Sequence, residues 1–192
     1  MLKHKVAVLK TDRRLYTGPE ARLYRRALGS EFHATARHEA AHTVVGISQG
    51  LPIEYVDINP AYVLDEAGNK NLSLGFTKWD VALVAETWCP DLLREAMATT
   101  TAAGVVAESL NNPRTAAEAS TGDLQALGSL AEQIGADPYH YGEKHFERAA
   151  LILHSDDGGR AWSHVAAELN RRRHLTGTQV RALVQRAGFR HV

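Results

Sequence analysis

The spacing of apolar positions predicts two helices near the start of the chain. Pro19 suits the first turn of a helix, and apolar positions at helical intervals follow it. Gly29 and Ser30 are expected to end this short helix, and Ser30 could cap the next one. The second helix is expected over about 31–49, where apolar residues again recur at helical spacing.

Two short strands are predicted after the second helix. Apolar and polar residues alternate in "IEYVDINP", residues 53–60, and this alternation is typical of a strand. The segment "LSLGFTKWD", residues 72–80, predicts another strand, and the turn-forming residues "DEAGNKN" lie just before it. A small sheet is therefore expected close to the second helix.

The middle of the chain predicts a long helical stretch and a shorter helix. The long stretch covers about 81–111 and should break near Pro90, because proline cannot continue a helix through its own position. Residues 114–122 have the composition of a loop. Either Thr121 or Asp123 is expected to cap the helix that follows this loop.

The last third of the chain is predicted to be helical. The pattern starts at residue 138, stops at "DDGG" and resumes, and Thr176 with Gln179 forms a capping box for the final helix. The predicted fold class is therefore α+β, mostly α-helical, with a small β-sheet beside the second helix. We expect an N-terminal extension with a short helix over 1–30 and one domain over 31–192.

Composition and charge narrow the class of protein. Lys plus Arg and Asp plus Glu number 22 each in the 192 residues, so no net charge favours nucleic acid or an anionic membrane as a partner. No apolar run reaches the roughly 20 residues that a membrane span needs. A single cysteine, Cys89, excludes an internal disulfide. We therefore expect a cytoplasmic protein with no membrane partner.

The second helix carries a pattern with chemical meaning, "HEAAH". His38 and His42 are four apart, so their side chains project side by side, about 40° apart around the helix, and could hold one zinc ion. Glu39 flanks this pair and could take a proton from a water molecule on the metal. The pattern indicates a zinc hydrolase, although two histidines can also fall four apart by chance.

A catalytic zinc needs a third protein ligand, and the residues leave several candidates. Val45 and Ser48 stand where one zinc-protease class requires glycine and histidine, so this class is excluded. Asp123 lies at a predicted helix start, where a carboxylate is favourable as a cap as well as a ligand. The rival candidates are His140, His145 and Glu108.

Five segments resemble, in order, the peptidase domain of the FtsH family, the membrane-anchored AAA+ zinc proteases. They are "ARHEAAHTVVGISQGLPIEYVDINP", "SLGFTKW", "AAGVVAESL", "ASTGDLQAL" and "SHVAAELNRRRHLTGTQVRALV". Together they cover roughly residues 33–187. The resemblance implies a zinc metallopeptidase fold in which the sheet borders the HExxH helix.

The resemblance also implies roles for particular residues. His38, His42 and Asp123 would bind one zinc ion, with Glu39 as the general base. Glu108 would orient a ligand histidine. The segment that the family uses as an edge strand corresponds to Gly75, Phe76 and Thr77, which would bind an extended substrate.

The chain also departs from the family. It contains no phosphate-binding loop ending in Gly-Lys-Ser or Gly-Lys-Thr. We therefore expect a stand-alone peptidase domain, ATP-independent on its own, that hydrolyses unfolded or flexible polypeptides. A separate ATPase or an adaptor is a possible partner, and the sequence does not predict an oligomeric state.

The sequence leaves two alternatives open. The first is a non-catalytic module that contains zinc and binds peptides or regulates another protein. The second is a DNA-associated zinc protein, for which the basic patches "TDRR", "LYRR" and "NRRRH" could contact phosphates. The zero net charge favours solvated helix faces as the role of these patches.

Overall fold

The computed structural model describes residues 19–59, 61–64, 70–111 and 120–189. Within these ranges the helices are α1 (Pro19–Ser48), α2 (Val81–Ala85), α3 (Pro90–Asn111), α4 (Thr121–Glu132), α5 (Pro138–His154), α6 (Asp156–Arg172) and α7 (Gly177–Arg186). The strands are β1 (Ile53–Asp57), β2 (Ala61–Leu64), β3 (Lys70–Ser73), β4 (Phe76–Trp79) and β5 (His174–Thr176). The protein is mostly helical and has a small antiparallel sheet, so the predicted α+β class is confirmed.

Helix α1 is continuous over 30 residues, so the predicted break at Gly29 and Ser30 is wrong. A glycine inside a helix costs only about 1 kcal/mol relative to alanine. The second half of α1 packs against α3 and α6, and a helix stabilised by packing extends readily by adding one hydrogen bond per residue. The chain therefore passes residue 30 without leaving the helix.

The sheet is centred on β1, which pairs antiparallel with β4 on one side and with β5 on the other. Val56 in β1 lies opposite Thr77 and Leu175, and both Val56 and Leu175 are buried. These side chains anchor the sheet in the core beside α1. In the described residues, β4 is paired along one side only, which makes it an edge strand.

Strand β1 was predicted, but the second predicted strand divides into two. Residues 70–73 form β3, which pairs with β2 in a separate hairpin, and residues 76–79 form β4. Strands β2 and β5 were not predicted. β5 has only three residues and is held in place by pairing with β1, a contact that its own sequence does not reveal.

Small residues allow α1 and α3 to pack closely. Completely buried alanines lie on both helices, among them Ala36 and Ala40 on α1 and Ala102 and Ala103 on α3. The distance between two packed helices depends on the size of the side chains at the contact, so alanine faces permit a short distance. This close packing brings the backbone of α3 within reach of side chains on α1.

The predicted break at Pro90 is confirmed, because α2 ends at Ala85 and α3 begins at Pro90. The predicted cap of α4 is wrong. Ser120 occupies the N-cap position, although its side chain makes no capping hydrogen bond, and Asp123 lies in the first helical turn. The loop predicted over 114–122 lies outside the described residues as far as residue 119, and it is wrong for Thr121 and Gly122, which begin α4.

Near the C-terminus, the helix that was predicted to end just before "DDGG" ends one residue earlier. Helix α5 ends at His154, and Ser155 caps α6 by accepting a hydrogen bond from the Gly158 backbone N–H. "DDGG" therefore begins α6, where carboxylates suit the positive end of the helix dipole. The capping box of Thr176 and Gln179 is confirmed at the start of α7. None of the helices in the described ranges has the length and apolar character to cross a membrane.

Candidate metal centre

Two turns of α1 present His38 and His42 on one face, beside α3 and the start of α4. Their Nε2 atoms lie 3.0 Å apart. The two rings meet edge to face, with centroids 4.7 Å apart, so the nitrogens converge although the ring planes do not stack. This convergence follows from the four-residue spacing and the close approach of the neighbouring helices.

Asp123 joins this pair from the first turn of α4. Its Oδ2 atom lies 3.2 Å from Nε2 of His38 and 3.4 Å from Nε2 of His42. Among the described residues, these three form the one group of His, Cys, Asp and Glu side chains arranged to hold a metal ion. Among the residues that the sequence offers as a third ligand, Asp123 is therefore the one that lies beside both histidines.

The other ring nitrogen of each histidine is bound by α3. His42 Nδ1 donates a hydrogen bond to the backbone carbonyl of Thr100, at 2.7 Å. His38 Nδ1 lies 3.3 Å from Oε1 of Glu108. Because a carbonyl and a carboxylate can only accept, Nδ1 carries the hydrogen in each ring, and a neutral ring then directs the Nε2 lone pair towards Asp123.

The three converging atoms require a positive charge between them. Oδ2 of Asp123 is shielded from solvent and has no hydrogen-bond partner. With neutral rings, three electron-pair donors would face one another within 3.4 Å, an arrangement that is unfavourable unless a proton or a metal ion intervenes. Two imidazole nitrogens and one carboxylate oxygen are a donor set that suits a divalent metal ion.

The pKa values of the metal-free residues reflect the same requirement. Burial disfavours a charge on His38, but the carboxylates of Asp123 and Glu108 outweigh this effect and raise the pKa of His38 to about 10. Burial also opposes a charge on His42, yet Asp123 raises its pKa. Burial likewise opposes ionisation of Asp123, but the two histidines lower its pKa. Without metal, the cluster therefore holds protons where a cation would bind.

Gly104 provides the space in which the three donor atoms meet. A Cβ atom at this position would lie 2.5 Å from Oδ2 of Asp123 and 2.5 Å from Nε2 of His42. Real Cβ atoms do not approach other atoms so closely. Any other residue at position 104 would therefore push α3 away from the three donor side chains or push these side chains apart.

Glu39 lies beside His38 and His42 and is only 6% exposed. Its Oε2 atom accepts a hydrogen bond of 2.8 Å from the Thr77 hydroxyl on β4. Its charge contributes to the raised pKa of both His38 and His42, so the carboxylate lies close to the donor cluster. Glu39 is not one of the three converging donors and can act on a neighbouring molecule.

A cavity of about 340 Å³ opens over the cluster. It is lined by the HExxH helix, by α3, by the start of α4 and by the segment Gly75–Thr77 with Trp79. Gly75, Phe76 and Thr77, which the resemblance implies would bind a substrate, therefore line the same cavity as the donor cluster. This cavity has room beside the three donor atoms for a small molecule or for an extended chain.

The rival histidines lie elsewhere. His145 is fully buried on α5, with Nδ1 2.8 Å from the Thr99 hydroxyl, and burial lowers its pKa. His140 is exposed and lies 3.8 Å from Glu143. Neither belongs to the donor cluster.

Sequence reasoning missed Thr100 and Gly104. Thr100 acts through its backbone carbonyl, which every residue type possesses, so its identity carries no signal. Gly104 did carry a signal, because a glycine in the middle of an alanine-rich helical pattern often marks a place where another part of the chain approaches the helix closely.

Comparison of the chain with models of known protein families and with curated protein sequences finds no significant match.

Proposed function

We propose that this protein is a zinc metalloendopeptidase that hydrolyses flexible polypeptides. One zinc ion would be held by His38, His42 and Asp123. The observation that carries the proposal is a buried carboxylate, Glu39, placed beside a three-donor site that opens into a cavity. A structural zinc site usually has four protein ligands and does not need such a carboxylate.

The resemblance to the FtsH peptidase domain supports the same function. Four of the five resembling segments contribute residues that surround the donor cluster: α1, β4, α3 and the first turn of α4. They come from positions as far apart as 38 and 123 and meet at one place. A coincidental HExxH pattern would not be expected to acquire a third ligand in this way.

The residues around the site have separable roles in the proposed reaction. When bound, zinc would supply a Lewis acid that polarises the scissile carbonyl and makes water more acidic. Glu39 would accept the proton of the attacking water and pass it to the amine that leaves. Glu108 and the Thr100 carbonyl would keep the two histidines in the tautomer that binds metal.

The edge strand suits an extended substrate. Backbone groups of β4 face away from β1 beside the cavity, and a peptide in extended conformation can pair with such an edge. A segment must be unfolded to bind in this way. We therefore expect unstructured polypeptides to be cleaved and folded proteins to resist.

The test compares wild type with Glu39→Gln. Wild type with one equivalent of zinc should hydrolyse unstructured casein, whereas Glu39→Gln should keep its zinc and lose at least about 100-fold in kcat, because a general base contributes about 10²- to 10⁴-fold. Glu147→Gln, on an exposed position of α5, is the matched control and should remain active.

Two results would contradict the proposal. One is that Glu39→Gln cleaves casein as fast as wild type does. The other is a wild-type protein that holds one zinc ion per chain and cleaves no unstructured polypeptide. The second result would favour the non-catalytic peptide-binding module.

A further inference from the structure

The carboxylate of Glu39 is held by β4 as well as carried by α1. The Thr77 hydroxyl donates to Oε2 at 2.8 Å, and the same hydroxyl lies 3.4 Å from the Glu39 carbonyl oxygen. A glutamate side chain has three rotatable bonds, and a hydrogen bond from a fixed donor removes much of this freedom. The orientation of the carboxylate therefore depends on the position of β4.

Thr77 is itself fixed. Its backbone is paired with Val56 at the centre of the sheet, and Val56 is fully buried. Its hydroxyl also lies 3.5 Å from the hydroxyl of Thr43, which is buried on α1 and donates to the Glu39 carbonyl at 2.7 Å. Thr77 is thus a rigid donor on the core-facing side of the strand.

Gly75 supplies the space for the carboxylate on the same strand segment. A Cβ atom at position 75 would lie 2.6 Å from Cγ and 2.7 Å from Oε1 of Glu39. A side chain there would displace the glutamate from the position in which Thr77 holds it. Thr77 thus donates a hydrogen bond to Oε2 of Glu39, and Gly75 provides room for Oε1.

We propose that Thr77 is a positioning residue for Glu39, and that Gly75 is required to accommodate the carboxylate, so this strand segment aligns the base in addition to lining the cavity. The inference rests on the proposed function. It assigns Thr77 an effect on the chemical step, whereas a substrate-binding role would affect the affinity for polypeptide.

The first test is kinetic. Thr77→Val removes the hydroxyl and keeps the shape, and we expect kcat to fall about 10-fold with little change in KM, because a misaligned catalytic group loses rate without losing substrate affinity. Thr77→Ser should restore most of kcat. Both variants should bind one equivalent of zinc. Thr178→Val is the matched control, since Thr178 is exposed on α7 and does not line the cavity.

The second test does not require activity. In metal-free protein, the unfolding midpoints of Thr77→Val, Glu39→Ala and the double variant form a thermodynamic cycle, and side chains in contact should give non-additive changes. Additive midpoints, a higher KM with unchanged kcat in Thr77→Val, or failure of Thr77→Ser to recover kcat would each overturn the inference. Absence of hydrolysis in wild type would refute the proposed function instead, while the unfolding cycle would still test the contact.

Discussion

At the scale of single residues, the site depends on which nitrogen of each histidine carries the hydrogen. The Thr100 carbonyl fixes this for His42, and the Glu108 carboxylate does so for His38. The two partners differ in charge. A negative partner increases the basicity of the ring that it orients, so Glu108 should contribute to metal affinity in a way that a neutral carbonyl cannot.

Replacement of Glu108 by glutamine should weaken zinc binding. The amide oxygen can still accept from His38 Nδ1, but the negative charge is lost, so we expect a loss of about 10-fold, at the lower end of the range for such partners. Affinity is measured by competition with a chromophoric chelator. Glu132→Gln, on an exposed position of α4, is the control. Equal affinity in wild type and Glu108→Gln would show that the charge of Glu108 does not support the ligand.

At the scale of elements, the site is where α1, α3, α4 and β4 meet. Helical periodicity predicts helices over the parts of α1, α3 and α4 that form the site, and a strand is predicted over a segment that includes β4. The start of α1 and the division of that strand differ from the prediction. The mutual distances of the four elements were not expected. Alanines on α1 and α3, together with Gly104, set these distances, and they are properties of pairs of helices that one helix alone does not reveal.

The three donors of the proposed metal site could be predicted from sequence to different extents for the same reason. His38 and His42 follow from a local spacing on one helix. Asp123 required a family resemblance, because 81 positions of sequence separate it from His42 and local patterns carry no information over this distance. The capping role considered for Asp123 was wrong, since Ser120 holds the N-cap position and leaves Asp123 in the first turn.

Replacement of Gly104 by alanine should damage the metal site. The added methyl group would occupy the space between Asp123 and His42, so we expect zinc affinity to fall more than about 10-fold, the size of change expected when ligand geometry is lost. Gly128→Ala on α4 is the control, because a Cβ atom there meets no other atom within 4 Å. Gly128→Ala should keep zinc affinity and raise the free energy of unfolding by about 0.4–1 kcal/mol. Isothermal titration and denaturant unfolding measure the two effects, and retention of full affinity in Gly104→Ala would contradict the geometry.

At the scale of the whole molecule, the site links distant parts of the chain. The donors belong to α1 and α4, and their supporting groups belong to α3. An unfolded chain cannot hold these groups together, so metal binding should stabilise the folded protein as a whole. Proton binding by His38 and His42 stabilises the metal-free fold at the same place, which makes the two kinds of stabilisation compete.

This competition predicts opposite pH dependence for metal-free and zinc-loaded protein. In the metal-free form the pKa of His38 is raised to about 10, so its stabilising proton is fully present below the unfolded value of 6.5 and is lost as the pH rises towards 10. The lowered pKa of Asp123 contributes a constant amount here, because that carboxylate is ionised in both states above about pH 5. The free energy of unfolding of metal-free protein should therefore fall between about pH 6.5 and 8.5.

In zinc-loaded protein both Nε2 atoms would bind the metal, so the unfolded chain binds more protons than the folded one. The free energy of unfolding should therefore rise with pH until the histidines of the unfolded chain are neutral, at about pH 7.5. Denaturant unfolding over this range, in chelator and in excess zinc, measures both slopes. Asp123→Asn removes a proposed ligand and one of the charges that raise the histidine pKa values, so it should bring the two slopes closer together. Parallel slopes in wild type would mean that His38 does not exchange a proton for the metal, and the three-donor site would then have to be rejected as the place where zinc binds.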